Sequence, residues 1–208
     1  MDREDLNFYF HVLRTLERLE IPYVVIGAFA GSTYGVTRTT GDVDMVVDLN
    51  SEQADALAEA YPPPRYYADP YQMRDSIRMG ILFNIIDSSI GRKVDLIPLT
   101  MAPGYDFAMR RRIRRTVPLE MPEPVPIWVA RPEDVIVGKL MAWQESRSIR
   151  HEMDIRDMLV GVELGEDPEV TEMFDYQYID RWVQRIGEDA ADLWEYLKQS
   201  TQTDLSLR

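Results

Sequence analysis

The chain has 208 residues, 45% of them hydrophobic, which allows one substantial core and places it among ordinary globular proteins. The absence of cysteine excludes a disulfide frame, a thiolate metal site and a thiol nucleophile, and fits a reducing cytoplasm. A net charge of −13 argues against unassisted, non-specific binding of nucleic acid, and the longest apolar run, residues 23–30, is far too short to cross a bilayer.

The start, Met1-Asp2-Arg3-Glu4-Asp5, is acidic and has no apolar stretch, so no signal peptide and a cytoplasmic location are expected. Leu6, Phe10, Leu13, Leu16 and Leu19 share one face of a helix over 2–20, and Pro22 separates it from the next element. Tyr23–Gly27 reads as a buried strand, and Gly27–Gly35 as a turn into a short helix. Thr39-Thr40-Gly41 is loop chemistry, and Val43–Leu49 reads as a strand. Asn50, with Gln53 three positions on, predicts a capped helix through Ala60, which Tyr61-Pro62-Pro63-Pro64 must end. Ile81–Asp87 and Lys93–Leu99 predict a hairpin around Ser88-Ser89-Ile90-Gly91-Arg92. A short helix over Pro103–Arg110 precedes two strand-like pieces, Ile113–Leu119 and Val125–Ala130, around a proline-rich turn. Helices are then expected over Pro132–Ser146, Ile149–Val160, Tyr176–Ile186 and Glu188–Gln199. The plan is an α/β (α+β) protein: a mixed-sheet core over 1–130 and a helical region over 131–208. Trp128, Trp143, Trp182 and Trp194 read as core residues, Asp48 and Asp87 as strand-end acids. His11 and His151 are isolated and receive no chemical role.

The chemistry concentrates at Asp42-Val43-Asp44. Residues two apart on a strand point to the same face, so the two carboxylates lie side by side while Val43, Met45 and Val47 face a core. Such neighbours raise each other's pKa unless a cation sits between them, and Mg²⁺ prefers carboxylate oxygens and a substrate phosphate. Asp95, in Lys93-Val94-Asp95-Leu96-Ile97, is placed to bring a third acid from a second strand. Three acids from two strands suit two-metal phosphoryl transfer. Alone, Asp-x-Asp at a strand start is commonly turn capping; the glycine turn before it and Asp95 after it are what favour metal binding. A P-loop, a Gly-x-Ser-x-Gly elbow, a Rossmann glycine set and a His-Glu-x-x-His helix are absent. One basic segment, Arg110, Arg111, Arg112, Arg114 and Arg115, reads either as a solvated element or as a contact to phosphates.

Gly27-Ala28, thirteen residues, Asp42-Val43-Asp44 and later Val94-Asp95-Leu96 resemble the pattern of the nucleotidyltransferase superfamily, which has the polymerase-beta-like fold. Three further strings are similar to the AbiEii-type nucleotidyltransferases, toxins of type IV abortive-infection systems. They are Tyr34-Gly35-Val36-Thr37-Arg38-Thr39-Thr40-Gly41-Asp42, Arg131-Pro132-Glu133-Asp134-Val135-Ile136-Val137-Gly138-Lys139-Leu140, and Arg150-His151-Glu152-Met153-Asp154-Ile155-Arg156-Asp157. The resemblance spans residues 20–160.

It implies transfer of a nucleoside monophosphate from an NTP such as ATP to a hydroxyl, with Mg²⁺ or Mn²⁺ bound by Asp42, Asp44 and Asp95. Asp95 would alternatively take the proton of the attacking hydroxyl. Backbone N–H groups at Gly27 and Ala28 would hold triphosphate oxygens. Ala28 stands where many members have a second Gly or a Ser, which makes Ser32, after Gly31, a fallback. Arg38 and Thr40 are expected near the phosphates, Lys139 on the nucleotide, and Asp154 orienting Lys139 or the base. The toxin resemblance implies a tRNA acceptor held by the arginine segment, and a cognate antitoxin. Two rivals remain open: a small-molecule, aminoglycoside-like transferase, favoured by the −13 charge, and a non-catalytic binding or regulatory module, favoured by Ala28. A protein-AMPylating antitoxin of the minimal type fits less well, because Thr40-Gly41 precedes Asp42 where that group has Ser.

Overall fold

The chain divides into two compact units, Met1–Phe29 with Thr39–Val129, and Ala30–Arg38 with Ala130–Arg208. The computed structural model describes residues 3–38, 40–102, 104–116 and 125–206.

The first unit is built on a seven-stranded mixed sheet. Its strands are β1 (Tyr23–Ile26), β2 (Asp42–Val47), β3 (Tyr66–Tyr67), β4 (Phe83–Asp87), β5 (Arg92–Pro98), β6 (Ile113–Thr116) and β7 (Pro126–Val129). Their spatial order is β3-β4-β5-β2-β1-β7-β6. The centre is parallel where β2 meets β5 and antiparallel where β1 meets β2. Burial explains the order. β1 is buried at all four positions, and Val43, Met45, Val46 and Val47 of β2 are fully covered, so these strands belong in the middle of the sheet. The amphipathic α1 (Arg3–Arg18) buries Leu6, Phe10, Leu13 and Leu16, as its spacing predicts. Its Tyr9 hydroxyl donates to the Gly41 carbonyl at 2.6 Å, which anchors the chain just before the acid-bearing strand.

The capping box is realised at α3 (Ser51–Glu59): Gln53 N–H donates to Asn50 Oδ1 at 2.9 Å, and Asn50 N–H to Gln53 Oε1 at 3.1 Å. The β4–β5 hairpin forms as expected. Two elements between Tyr61 and Ile81 were not anticipated. β3 has only two residues, too few for a readable period. α4 (Pro70–Met79) starts where Asp69 accepts from Tyr71 N–H and Gln72 N–H ahead of Pro70. It ends at Gly80, whose φ is +65° and where an added Cβ would lie 2.8 Å from the Thr100 carbonyl oxygen, so a side chain is excluded. β7 (Pro126–Val129) and α5 (Asp106–Arg111) are shorter or shifted relative to expectation; residues 103 and 117–124, which include the end of the first expected strand and the proline-rich turn, lie outside the described set.

The second unit is helical. After α2 (Gly27–Gly31), which leads out of β1, a 3-10 turn covers Ser32–Tyr34. Then come α6 (Pro132–Ser146), α7 (Ile149–Glu163), α8 (Pro168–Met173), α9 (Tyr176–Ile186) and α10 (Glu188–Ser206). α9 matches its expected span; α7 and α10 run longer, and α8, capped by Asp167 ahead of Pro168, was missed. Two buried carboxylates on α6 receive hydrogen bonds. Glu133, fully buried, accepts from Asp175 N–H at 3.0 Å, and Asp134 accepts from the Tyr178 hydroxyl at 2.6 Å. Tyr34 donates its hydroxyl to the Ala130 carbonyl at 2.7 Å, which helps to place 30–38 with the helices. Among the tryptophans only Trp194 is buried outright, donating to Asp180 at 2.7 Å. Trp128, Trp143 and Trp182 are half-buried instead, each with an arginine guanidinium over its ring. Arginine stems can shield an indole face that the core does not cover.

The α/β class expected from the sequence is the class observed: a mixed sheet carrying the acid-bearing strands, followed by a helical C-terminal region.

Candidate active site

β2 and β5 run parallel with Asp42 opposite Lys93 and Asp44 opposite Asp95. Register partners on adjacent strands share a face, and so do residues two apart on one strand. Asp42, Asp44, Lys93 and Asp95 therefore form one polar quartet on one face of the sheet centre. Directly opposed carboxylates destabilise a strand pair unless their charge is matched. Here the match is Lys93. Its Nζ lies 2.6 Å from Asp95 Oδ2 and 3.9 Å from Asp42 Oδ2. The hydrogen bond to Asp95 holds the Lys93 ammonium above its ordinary pKa, with Asp42 and Asp44 acting in the same direction. Asn84, opposite Asp95 on β4, donates its Nδ2 to Asp95 Oδ1 and fixes that carboxylate from the other side.

Gly27 sits under this quartet. Its φ is +67°, and a Cβ there would lie 2.4 Å from Asp44 Oδ2. Glycine is thus required twice, by backbone conformation and by the carboxylate lying over it. Ala28 follows in α2, which has only five residues. Its first-turn N–H groups, rather than a long-helix dipole, are what it can offer an anion. Thr40 acts on the backbone: its hydroxyl donates to the Asp42 carbonyl at 3.0 Å and accepts from the Asp42 N–H at 3.4 Å, which sets the start of β2.

Hard oxygen donors on one face suit a hard divalent cation in kind. As the side chains stand, no group of three or more His, Cys, Asp or Glu among the described residues is gathered to hold a metal ion. The space between the acids is where the Lys93 ammonium lies.

The helical unit holds a second charged cluster. Asp154 on α7 is 1% exposed and accepts both arms of Arg38, Nε at 2.6 Å and Nη2 at 2.7 Å. It also accepts from Lys139 Nζ on α6, a side chain only 4% exposed. Burial by itself would raise the Asp154 pKa; the hydrogen bonds from Arg38 and Lys139 outweigh it and hold the carboxyl below its ordinary value. Burial first, then the charge of Lys139, keeps His151 below its usual range, which favours a neutral ring. The planar fork of Arg38, expected on a phosphate, is engaged on Asp154, which also bonds Lys139. Asp157, one turn on, accepts from the Thr37 N–H and hydroxyl, both at 3.3 Å. Ser32 lies in the 3-10 turn next to Gly31, where a Cβ would approach Val36 Cγ2 to 2.8 Å.

Arg110 and Arg111 end α5, Arg112 follows it, and Arg114 and Arg115 lie on β6. β6 is three strands from β2, about 14 Å at the usual strand spacing. Arg112 and Arg114 flank the Trp128 ring at 5.0 and 5.1 Å, Arg114 also bonds Glu17 at 2.7 Å, and Arg110 bonds Asp106 at 2.6 Å.

Sequence reasoning missed Lys93 and Asn84. Lys93 was within reach, since it stands two residues before Asp95 and must share its face; Asn84 became visible only with the register of the hairpin.

No family model matches the chain, and no curated protein matches it in sequence. Solved structures resemble it remotely. A nucleotidyltransferase-like protein from Paracoccidioides brasiliensis is 19% identical over 79% of this chain and 78% of its own, with a TM-score of 0.46. The antibiotic-resistance factor ANT(2'')-Ia is 13% identical over 100% of this chain and 96% of its own, with a TM-score of 0.45. JHP933 from Helicobacter pylori is 13% identical over 99% and 97%, with a TM-score of 0.41. Likenesses this remote carry no function, which rests on the residues themselves.

Proposed function

We propose that the chain is a nucleotidyltransferase that moves a nucleoside monophosphate from an NTP to a hydroxyl acceptor and releases pyrophosphate. The observation that supports this most is the register of Asp44 against Asp95, with Asp42 on the same face and Gly27 beneath Asp44. A catalytic Mg²⁺ or Mn²⁺, held by Asp42, Asp44 and Asp95, would supply neutralisation of the charge that develops on the phosphates. The protein's own part is positioning. Gly27 lets the Asp44 carboxylate lie close to the backbone, Thr40 fixes the start of β2, and Asn84 holds Asp95 in one orientation. Where Asp95 does not bind the metal, it is the residue placed to accept the proton of the attacking hydroxyl. Within the helical unit, Asp154 fixes the Lys139 ammonium and the Arg38 guanidinium, the orienting role expected of it toward Lys139.

For the acceptor we favour an RNA 3′ hydroxyl, as in a toxin of the type IV kind with a cognate antitoxin. The supporting feature is the pair Arg112 and Arg114 over the Trp128 ring of β7, beside the edge strand β6, since guanidinium planes and an indole face suit phosphates and bases. The small-molecule reading keeps one observation in its favour, the net charge of −13, which suits a cationic acceptor.

A transfer assay tests both. Each labelled NTP is mixed with the protein and Mg²⁺, against total tRNA and separately against aminoglycosides, with Asp44→Ala as control. Label on tRNA that vanishes in the variant supports the RNA acceptor, and label on an aminoglycoside supports the alternative. No transfer, with no metal-dependent NTP binding, overturns the enzyme reading and leaves a binding module.

A further inference from the structure

We infer that Lys93 is a built-in counter-cation: it holds the acid site together without metal and gives way when a metal–nucleotide substrate enters. The inference rests on the nucleotidyltransferase reading and assigns a positioning role to a residue which that reading leaves unused.

Three features lead to it. The first is place. Lys93 faces Asp42 across the β2–β5 pair and precedes Asp95 by two residues on the same strand, so its ammonium is confined to the acid face. It lies within 2.6 Å of one carboxylate and 3.9 Å of another. The second is need. Asp44 and Asp95 oppose each other in register, an arrangement that is unfavourable until a cation arrives. Lys93 supplies that cation from within the chain. The third is reversibility. The Lys93 side chain is 40% exposed, and it ends a flexible four-carbon stem with a compact, easily hydrated charge. On leaving, the ammonium enters water it already half meets, and the buried Asp95 carboxylate is left for the incoming metal. Lys139, at 4% exposure, has no such route.

A metal ion entering the site alone must displace the ammonium and leave it without a partner. A metal–nucleotide complex brings phosphate oxygens that can re-partner it. Lys93 should therefore weaken the binding of bare metal and couple metal binding to nucleotide binding, so that the site loads with substrate.

The test is Mn²⁺ binding to the full chain, followed by electron paramagnetic resonance, with and without a non-hydrolysable NTP analogue. In Lys93→Met, Mn²⁺ alone should bind about five-fold tighter or more, the scale of one partly exposed ion pair, and the gain from adding the analogue should shrink. Lys93→Gln repeats the test should the Met variant fail to fold, and Lys93→Arg should stay close to the parent. Equal or weaker Mn²⁺ binding in both neutral variants overturns the role of Lys93 and leaves the transferase reading intact. Absence of Mn²⁺ binding in parent and variants alike, with or without the analogue, overturns both.

Discussion

Lys93 and Lys139 each bond an aspartate, Asp95 and Asp154, yet the two pairs live in different surroundings. In the sheet unit the side chains are 40% and 11% exposed; in the helical unit they are 4% and 1% exposed. A lysine that stands half in water can exchange partners at little cost, because the ammonium regains hydration when the contact opens, although Asp95 itself is buried. A buried pair cannot open cheaply, because the charge left behind has no solvent to receive it. Asp154 is also gripped by Arg38 through two bonds, whereas Asp95 is steadied by a neutral amide, Asn84. The same two residue types thus serve as an exchangeable contact on a strand face and as a fixed one between helices.

The largest effect expected from this contrast is on folding. Asp154→Ala should cost about 3–5 kcal/mol, since it strands the Lys139 charge in the interior. Asp95→Ala should cost no more than about 1 kcal/mol. Denaturant midpoints of the two variants decide; similar values would erase the distinction. The pH dependence sharpens it. The Asp154 carboxyl titrates below its ordinary value of 3.8 in the folded chain, so its stabilisation is present above that pH and is lost as the pH falls through the lower, folded value. The stability gap between the parent and Asp154→Asn should therefore be full at neutral pH and narrow only below about pH 4.

Next in size is Gly27→Ala, expected to slow transfer by about 10²-fold through displacement of Asp44, the scale of a 1 Å misplacement. Its folding cost should be smaller, about 1–2 kcal/mol for an alanine in left-handed backbone. Steady-state rates beside thermal melts separate the two effects. Unchanged transfer would mean that Asp44 has no need of its place above Gly27.

The smallest effect is salt. Lys93→Met should change stability by about 1 kcal/mol or less at low ionic strength and by almost nothing in 1 M NaCl, because exposed charges are screened. Lys139→Met should stay destabilised at both concentrations. Urea titrations at two salt levels check this, and a salt-independent Lys93 effect would place that pair with the buried class.

The sequence by itself determined the elements with strong local signals. The apolar spacing of α1, the Asn50–Gln53 cap, the β4–β5 hairpin and the span of α9 were legible because each depends on neighbours along the chain. The acids of the candidate site were legible too, since alternation on a strand places Asp42 and Asp44 side by side without any tertiary contact. Where the signal was only two residues long, as in β3, or was a lone Asp-Pro start, as in α4 and α8, the elements passed unseen.

Only the tertiary structure decided which groups meet. The register of β2 on β5 set Asp44 against Asp95 and Asp42 against Lys93, and a slip of one residue would have sent Asp95 to the opposite face. Asp154 joins Arg38 across 116 positions of sequence, and Tyr34 reaches Ala130 across 96, which assigns residues 30–38 to the helical unit. Burial, which separates an exchangeable lysine from a fixed one, belongs to the packed chain, because a local stretch of sequence fixes which residues are neighbours in line but not how much water each one keeps.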